Sequence, residues 1–446
     1  MKTLTNLITV LLFTVCVPSF SQDYGSLIEN YIHTYEKLHR FSGSILVMKD
    51  DKVLISKGFG SANIELQVNN SPQTKFRLGS ITKQFTALAI LQLEERGLIN
   101  TNDPISKFIP DYPKGNNITI LNLLTHTSGI PGFTSFPEFE ESKMLQASPI
   151  QIIDRFKNIP LIFQPGTKFK YSDSGYIILG YILEKVTGKL YQEYLNENIF
   201  EPLNMYNTGY DNPNIILQNR ASGYVYKDGI LCNADYINMS QPFSAGAMYS
   251  TTEDLYKWDR ALYSNTLLKS SSLKEMFTKY KENYGYGWYI DDYNSHKKIW
   301  HNGLIDGFSA VITRLPDDNI CIVVLSNFID TPILQINNDI MAILFGKPYR
   351  NPENLKTINI DEQIINDYLG SYEINSDLRI DIKLTNNHLF IQPTGQGKFE
   401  IFSKEKDKFF TIDFDSEITF ERDIKKKVNG LVLHQNNSDI KAKKVF

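Results

Sequence analysis

The chain has 446 residues, 42% of them hydrophobic, and 46 Lys and Arg against 50 Asp and Glu give a formal net charge of -4. That length and apolar fraction exclude a disordered chain or a disulfide scaffold and leave room for two domains of ordinary size. Neither charge sign forms a long block, the Lys425-Lys426-Lys427 run reads as a solvated turn, and no cysteine-histidine spacing suggests a metal site, so nucleic acid and metal are not expected partners.

Residues 1 to 21 combine Lys2, the apolar run Leu7 to Val17 and small residues at Ser19 and Ser21, the pattern of a secretory signal peptide. The protein is therefore expected to be exported, periplasmic or secreted. The bulky Val15 before Cys16 argues against a lipid anchor, and no later segment has the length of a transmembrane helix. Cys232 and Cys321 remain after removal of the signal peptide and are expected to be buried and unpaired, although an oxidising compartment permits a bridge between cysteines that meet.

Apolar residues at Leu27, Ile28, Tyr31, Ile32, Tyr35 and Leu38 have helical spacing. The period then changes, and Ser42 to Met48 and Val53 to Gly60 read as a hairpin around the charged turn Lys49 to Lys52. A helix opening at Ser80 runs to about Gly97, and a Gly- and Pro-containing loop covers His126 to Gly132. Helices are expected from Pro149 to Asn158, Tyr176 to Val186 and Leu190 to Ile199, making an all-helical middle, and again from Thr252 to Tyr263. Strands follow over Gly285 to Ile290, Lys298 to His301, Gly307 to Leu315 and Ile320 to Asn327, with a closing helix from Pro332 to Phe345.

Helices and strands thus segregate along the chain, which favours an α+β fold: one antiparallel sheet flanked by helices, with an all-helical region, over residues 22 to 346. Residues 347 to 354, with Pro348 and Pro352, read as a linker. From 355 to 446 the texture is that of a small all-β barrel or sandwich, with strands over Asp377 to Leu384, Leu389 to Gln392, Lys408 to Phe414, Glu417 to Glu421 and Gly430 to His434.

The chemistry concentrates at Ser80-Ile81-Thr82-Lys83. A serine three positions before a lysine shares its helical face, within reach for the amine to take the hydroxyl proton. The pattern alone is cheap, since Ser271 with Lys274, Ser295 with Lys298, Ser403 with Lys406 and Ser438 with Lys441 repeat it. Only Ser80 opens an apolar helix, through Phe85, Leu88, Ala89 and Leu91, so only there do an N-terminal amide and the helix dipole face a reacting oxyanion.

Three elements then line up: Ser80-Ile81-Thr82-Lys83, Tyr171-Ser172-Asp173 and His301-Asn302-Gly303. With Ser42-Gly43, Thr125 to Gly129, Tyr286-Gly287-Trp288 and Gly307-Phe308, the chain from about 24 to 345 resembles the serine penicillin-recognising hydrolases, the group of class C β-lactamases, D-alanyl-D-alanine carboxypeptidases and related esterases. The tail resembles, by texture, a lipocalin-like C-terminal domain. The resemblance implies a Ser80 nucleophile, Lys83 or Tyr171 as proton acceptor, Tyr171 returning a proton to the leaving group, and the Leu304 backbone N–H as second oxyanion donor. Asp173, His301, Asn302 and Gly303 would contact or admit the substrate, a small molecule, peptide, cell-wall peptide or β-lactam, and no cofactor is implied.

Two positions depart from the family pattern. Asp173 stands where Asn is usual, and His301-Asn302-Gly303 where Lys-Thr-Gly is common. Both changes reduce positive potential. Asp173 beside Lys83 is expected to raise the lysine pKa and shift the burden of base towards Tyr171. An anionic cleft repels a substrate carboxylate, so peptide, amide or ester turnover is expected over efficient β-lactam hydrolysis. The competing reading is a non-catalytic penicillin-binding sensor or partner-binding protein. His126 is expected to be a structural hydrogen-bonding residue, and Tyr286 and Trp288 to pack in the sheet.

Overall fold

In the computed structural model, residues 23–351, 362–412, 416–435 and 438–445 are described. The signal-peptide reading of residues 1 to 21 and part of the expected linker 347 to 354 lie outside them.

Six antiparallel strands form the main sheet: β1 (Gly43–Lys49), β2 (Lys52–Phe59), β3 (Tyr289–Tyr293), β4 (His296–Ile305), β5 (Phe308–Leu315) and β6 (Ile320–Ser326), in the order β3-β4-β5-β6-β1-β2. First and last parts of the domain meet where β1 pairs with β6, Gly43 opposite Ser326 and Lys49 opposite Ile320. The long apolar runs have a cause in the layering. On β6, Cys321, Val323 and Leu325 face the core under the helical region, while Ile320, Ile322 and Val324 face a second core on the opposite side. A sheet covered on both faces needs apolar residues at every position rather than at alternate ones.

The second core is covered by α1 (Tyr24–Lys37) and by the helix Ile333–Leu344, which is labelled α4 below. Helix α1 starts where the Asp23 side chain accepts from the Ser26 N–H at 3.2 Å and buries Ile28, Tyr31, Ile32 and Tyr35. On the other face lie α2 (Thr82–Glu95) and α3 (Asp173–Thr187). Helix α2 is buried at every residue from Thr82 to Leu93, and each such Leu or Ile contributes about 1.5–3 kcal/mol relative to exposure. A central position, with neighbours all round, explains the absence of a polar stripe on it.

The middle section is less purely helical than its sequence suggests. Phe76–Arg77, Met248–Ser250 and Gly209–Tyr210 form a small three-stranded sheet, and Tyr224–Lys227 with Ile230–Asn233 form a hairpin. The expected strand from Gly285 begins only at Tyr289, because Gly287 at φ +76 turns the chain against α2, where a Cβ would lie 2.9 Å from the Lys83 carbonyl oxygen. Tyr286 and Trp288 are buried in the core beneath. Cys321 is buried, but Cys232 lies part-exposed on the added hairpin, contrary to expectation, and both thiols are free.

The C-terminal strands close into an eight-stranded antiparallel barrel: β7 (Gly370–Glu373), β8 (Arg379–Thr385), β9 (His388–Pro393), β10 (Phe399–Glu405), β11 (Lys408–Thr411), β12 (Ser416–Arg422), β13 (Val428–Gln435) and β14 (Ser438–Lys444). Closure comes from Tyr372 pairing with Lys444. Strands β7, β10 and β14 escape the sequence pattern because charged and small residues interrupt their alternation. The barrel is docked on the sheet: Phe410 and Ile412 join the core of β1, β6 and α1.

Candidate active site

Ser80 sits in a single 3-10 turn, Gly79–Ile81, that runs directly into α2, with Gly79 at φ +53. Lys83 lies one turn on, fully buried. Its Nζ is 3.0 Å from Ser80 Oγ, 2.7 Å from Asp173 Oδ1 and 3.0 Å from the Ala245 carbonyl oxygen. This set fits both protonation states. A charged amine donates to all three, whereas a neutral amine donates to Asp173 and Ala245 and turns its lone pair to the Ser80 hydroxyl. Burial pushes the Lys83 pKa down, and the Asp173 charge opposes it without overcoming it. The sequence argument that Asp173 raises this pKa therefore identifies only the smaller influence.

Asp173 is the first residue of α3, with Oδ2 accepting from Thr134 Oγ1 at 3.0 Å. Two residues earlier, Tyr171 has a buried hydroxyl with no hydrogen-bond partner among the described residues. Burial, then the Asp173 charge, hold that phenol well above the ordinary tyrosine range, with the nearby Ser80 hydroxyl pulling the other way. Lys83 Nζ stands 4.9 Å from the centre of the Tyr171 ring.

The third element is a stretch of β4. Its last five residues extend beyond β3, which begins at Tyr289 opposite Trp300. On the other side, Asp306-Gly307 is a two-residue turn closed by Ile305 and Phe308. In such a hairpin the closing pair exchanges hydrogen bonds and the next pair does not. Leu304, opposite Ser309, therefore directs its N–H and C=O to the open edge, as does Asn302. The Ser80 turn fills that edge at backbone contact distance: a Cβ on Gly303 would lie 1.9 Å from the Leu78 carbonyl oxygen and 2.9 Å from the Ser80 nitrogen. Only a residue without a side chain allows the two backbones to meet. As a first-turn amide, the Ser80 N–H has no intrahelical acceptor.

His301 faces Lys83 and the tyrosines rather than solvent. Its Nδ1 donates to the Asn302 carbonyl oxygen, an acceptor only, so Nε2 accepts from the Tyr284 hydroxyl at 3.0 Å. Burial and the Lys83 charge depress its pKa to about 3, leaving a neutral imidazole. The Asn302 amide lies on the opposite face of the strand and makes no hydrogen bond to another described residue.

Several participants are not singled out by sequence pattern: Thr134, the Ala245 carbonyl, Tyr284 and Asp306. Backbone acceptors and hydroxyls carry no spacing signature, and only the fold brings them together. The cleft in front of Ser80, about 210 Å³, is lined by Phe133, Phe139, Pro242 and Leu304 and by two carboxylates, Asp173 and Asp306. Asp306 accepts from Lys143 at 3.0 Å. Among the described residues no group of His, Cys, Asp or Glu side chains is arranged to hold a metal ion.

Comparison with known proteins agrees with this arrangement. The family model described as Beta-lactamase matches residues 27–341. The chain belongs to the beta-lactamase family. This is a family of serine hydrolases that includes penicillin-binding proteins. A second model, described as Domain of unknown function (DUF3471), matches residues 356–444, a span that contains the barrel strands. Penicillin-binding protein 4* of Bacillus subtilis is 29% identical over 93% of this chain and 97% of its own length. The octameric penicillin-binding protein homologue from Pyrococcus abyssi superposes with a TM-score of 0.67 at 26% identity, over 94% of this chain and 99% of that one. The D-amino acid amidase from Ochrobactrum anthropi SV3 shares the fold, with a TM-score of 0.66 at 23% identity over 73% of this chain and 99% of the amidase. Among the described residues, no helix is long and apolar enough to cross a membrane.

Proposed function

We propose that this beta-lactamase family member is an exported serine hydrolase that cleaves amide or ester bonds through a Ser80 acyl-enzyme. The observation that carries the reading is the 3.0 Å contact between Ser80 Oγ and a fully buried Lys83 whose remaining donors are already held by Asp173 and Ala245. Ser80 Oγ attacks the carbonyl carbon while its proton passes to the Lys83 amine. The Ser80 and Leu304 N–H groups receive the oxyanion. Tyr171, a neutral phenol with no other partner, returns a proton to the departing amine or alkoxide, and water then releases the acid from Ser80.

The substrate class follows from the cleft's charge. Lys83 is matched by Asp173, Asp306 is matched by the buried Lys143, and neutral His301 replaces the lysine common in the family, so no cation is left unpaired in the cleft wall among these residues. A substrate carboxylate gains nothing there, whereas a neutral or amine-bearing amide or ester with an apolar group fits beside Phe133 and Phe139. Efficient β-lactam hydrolysis is not expected. The test is covalent labelling with a fluorophosphonate or fluorescent penicillin, followed by turnover of p-nitrophenyl acetate and nitrocefin. Labelling that survives Ser80→Ala, or no adduct at all, would sink the acyl-enzyme and favour a binding protein. Nitrocefin turnover at rates usual for a dedicated resistance enzyme would sink the substrate assignment.

A further inference from the structure

Leu304, 55% exposed, is a wall of two cavities. One is the cleft in front of Ser80. The other, about 490 Å³, is bordered on the catalytic side by Asn302 and Leu304 and on the far side by Phe390 and Lys398 of the barrel, with Leu334 of α4 between them. The barrel thus reaches the strand that carries the third catalytic element.

The far wall is held in place by specific contacts. Lys398 pairs with Asp228 at the tip of the Tyr224–Asn233 hairpin, and Arg40 pairs with Glu400, both of these side chains nearly buried. Asn386 Nδ2 donates to the Asp228 carbonyl oxygen at 3.1 Å. Gly229, at φ +79, lies so close to the barrel that a Cβ would come 2.7 Å from the His388 ring. A cavity with walls fixed in this way is formed before anything binds, and its size is within the roughly 300–1,000 Å³ of ordinary ligand sites.

The occupant follows from chemistry and continuity. Arg40 with Glu400 and Lys398 with Asp228 pair across the domain junction, and the remaining carboxylate, Asp330, accepts from the Tyr226 N–H at 2.7 Å, so an anion finds no favourable field. Apolar surface from Leu304, Leu334 and Phe390 alternates with the Asn302 amide, which makes no hydrogen bond to another described residue. That combination suits a peptide, whose backbone amides hydrogen-bond to such a side-chain amide while its side chains fill apolar pockets.

We propose that this cavity is a substrate subsite built jointly by the catalytic domain and the barrel, and that it holds the part of a peptide substrate remote from the bond opened at Ser80. This rests on the Ser80 acyl-enzyme reading. Binding remote from the reacting carbonyl is used to position it, so longer peptides are turned over faster and not only bound more tightly.

The test uses the full-length protein, p-nitrophenyl acetate, and a series of end-blocked peptides lengthened one residue at a time on either side of the scissile amide. The readout is the ratio of kcat/KM for the longest peptide to that for the acetate ester. Lys398→Ala removes a barrel contact, and Leu334→Trp fills the cavity from an exposed position without disturbing the barrel. The wild-type ratio is expected to rise with peptide length on one side of the bond, and both variants to lower it tenfold or more. A ratio independent of length, or retained at the wild-type value in both variants, overturns the subsite alone. Absence of ester hydrolysis and of Ser80 labelling in the wild type overturns the acyl-enzyme reading, and the subsite with it.

Discussion

His126 holds the chain on both sides of Tyr171: its carbonyl oxygen accepts from the Lys170 N–H at 3.0 Å and its Nδ1 from the Ser172 N–H at 3.2 Å. The two ring centroids lie 4.2 Å apart, with the ring planes tilted by 37°. An Nδ1 that accepts a backbone N–H belongs to a neutral imidazole, and burial followed by the Lys83 charge holds the His126 pKa well below its ordinary value. His126 is a positioning residue for the phenol, which is the structural role its sequence context suggests.

His126→Phe keeps a ring against Tyr171 but orphans the buried Ser172 N–H, which costs about 1–3 kcal/mol. A lower melting temperature and a fall in kcat of about tenfold or more, with KM little changed, are expected from the displaced phenol. Steady-state kinetics beside thermal unfolding check this. Lower stability with wild-type kcat would mean that His126 supports the fold alone.

Asp173→Asn removes the carboxylate charge that favours charged Lys83. The lysine pKa then falls further, and the rising acid limb of the kcat/KM profile moves to lower pH. The cleft also loses a negative charge, so turnover of a carboxylate-bearing β-lactam is expected to improve on the order of tenfold, the effect of about 1.4 kcal/mol of relieved repulsion. A pH–rate series on an ester and nitrocefin kinetics measure the two effects. No gain on nitrocefin contradicts the charge argument.

Ser80→Ala and Lys83→Met are each expected to lower kcat about 10³-fold or more while the protein stays folded. Both remove one half of the same proton transfer, so the double variant loses little beyond either single one. Additive losses in ester hydrolysis would separate the two residues and point to another base.

Gly303→Ala brings a Cβ against the backbone of Leu78, at 1.9 Å from its carbonyl oxygen. No rotamer relieves a contact between two backbones, so β4 or the Ser80 turn must shift. Loss of activity of about 100-fold or more is expected, with lowered stability. Intact labelling of Ser80 by fluorophosphonate in this variant would show that the Leu304 amide is not needed there.

Acid should unfold the protein partly through its buried histidines. An unfolded histidine takes up a proton near pH 6.5, whereas His301 resists it down to about 3. Between those values the unfolded state binds more protons, so stability falls as pH falls, by up to about 1.4 kcal/mol per pH unit for this group. His301→Gln should show a shallower decline from pH 6.5 to 4 in urea unfolding. Identical slopes for the two proteins would mean that His301 is not held neutral.

What depends on local pattern and on residue chemistry is legible in the chain. Helix α1, the strands β1, β2, β5 and β6, and the barrel hairpin at Asn386-Asn387, both at positive φ, are legible from period and turn chemistry alone. Ser80, Lys83 and Tyr171 are legible because their order in the chain is specific even though each motif is weak. Tertiary structure decided what depends on distance between segments. Burial, a property of the whole packing around α2, sets the net direction of the Lys83 pKa, while Asp173 pulls it up as its sequence position suggests. The part-exposed Cys232, the late start of β3 that leaves the end of β4 beyond it, and the barrel wall beside Leu304 follow from contacts between residues far apart in sequence. The same holds at Ser80 and Lys83, where the sequence places a hydroxyl and an amine one helical turn apart and the fold buries the amine between Ser80 and Asp173.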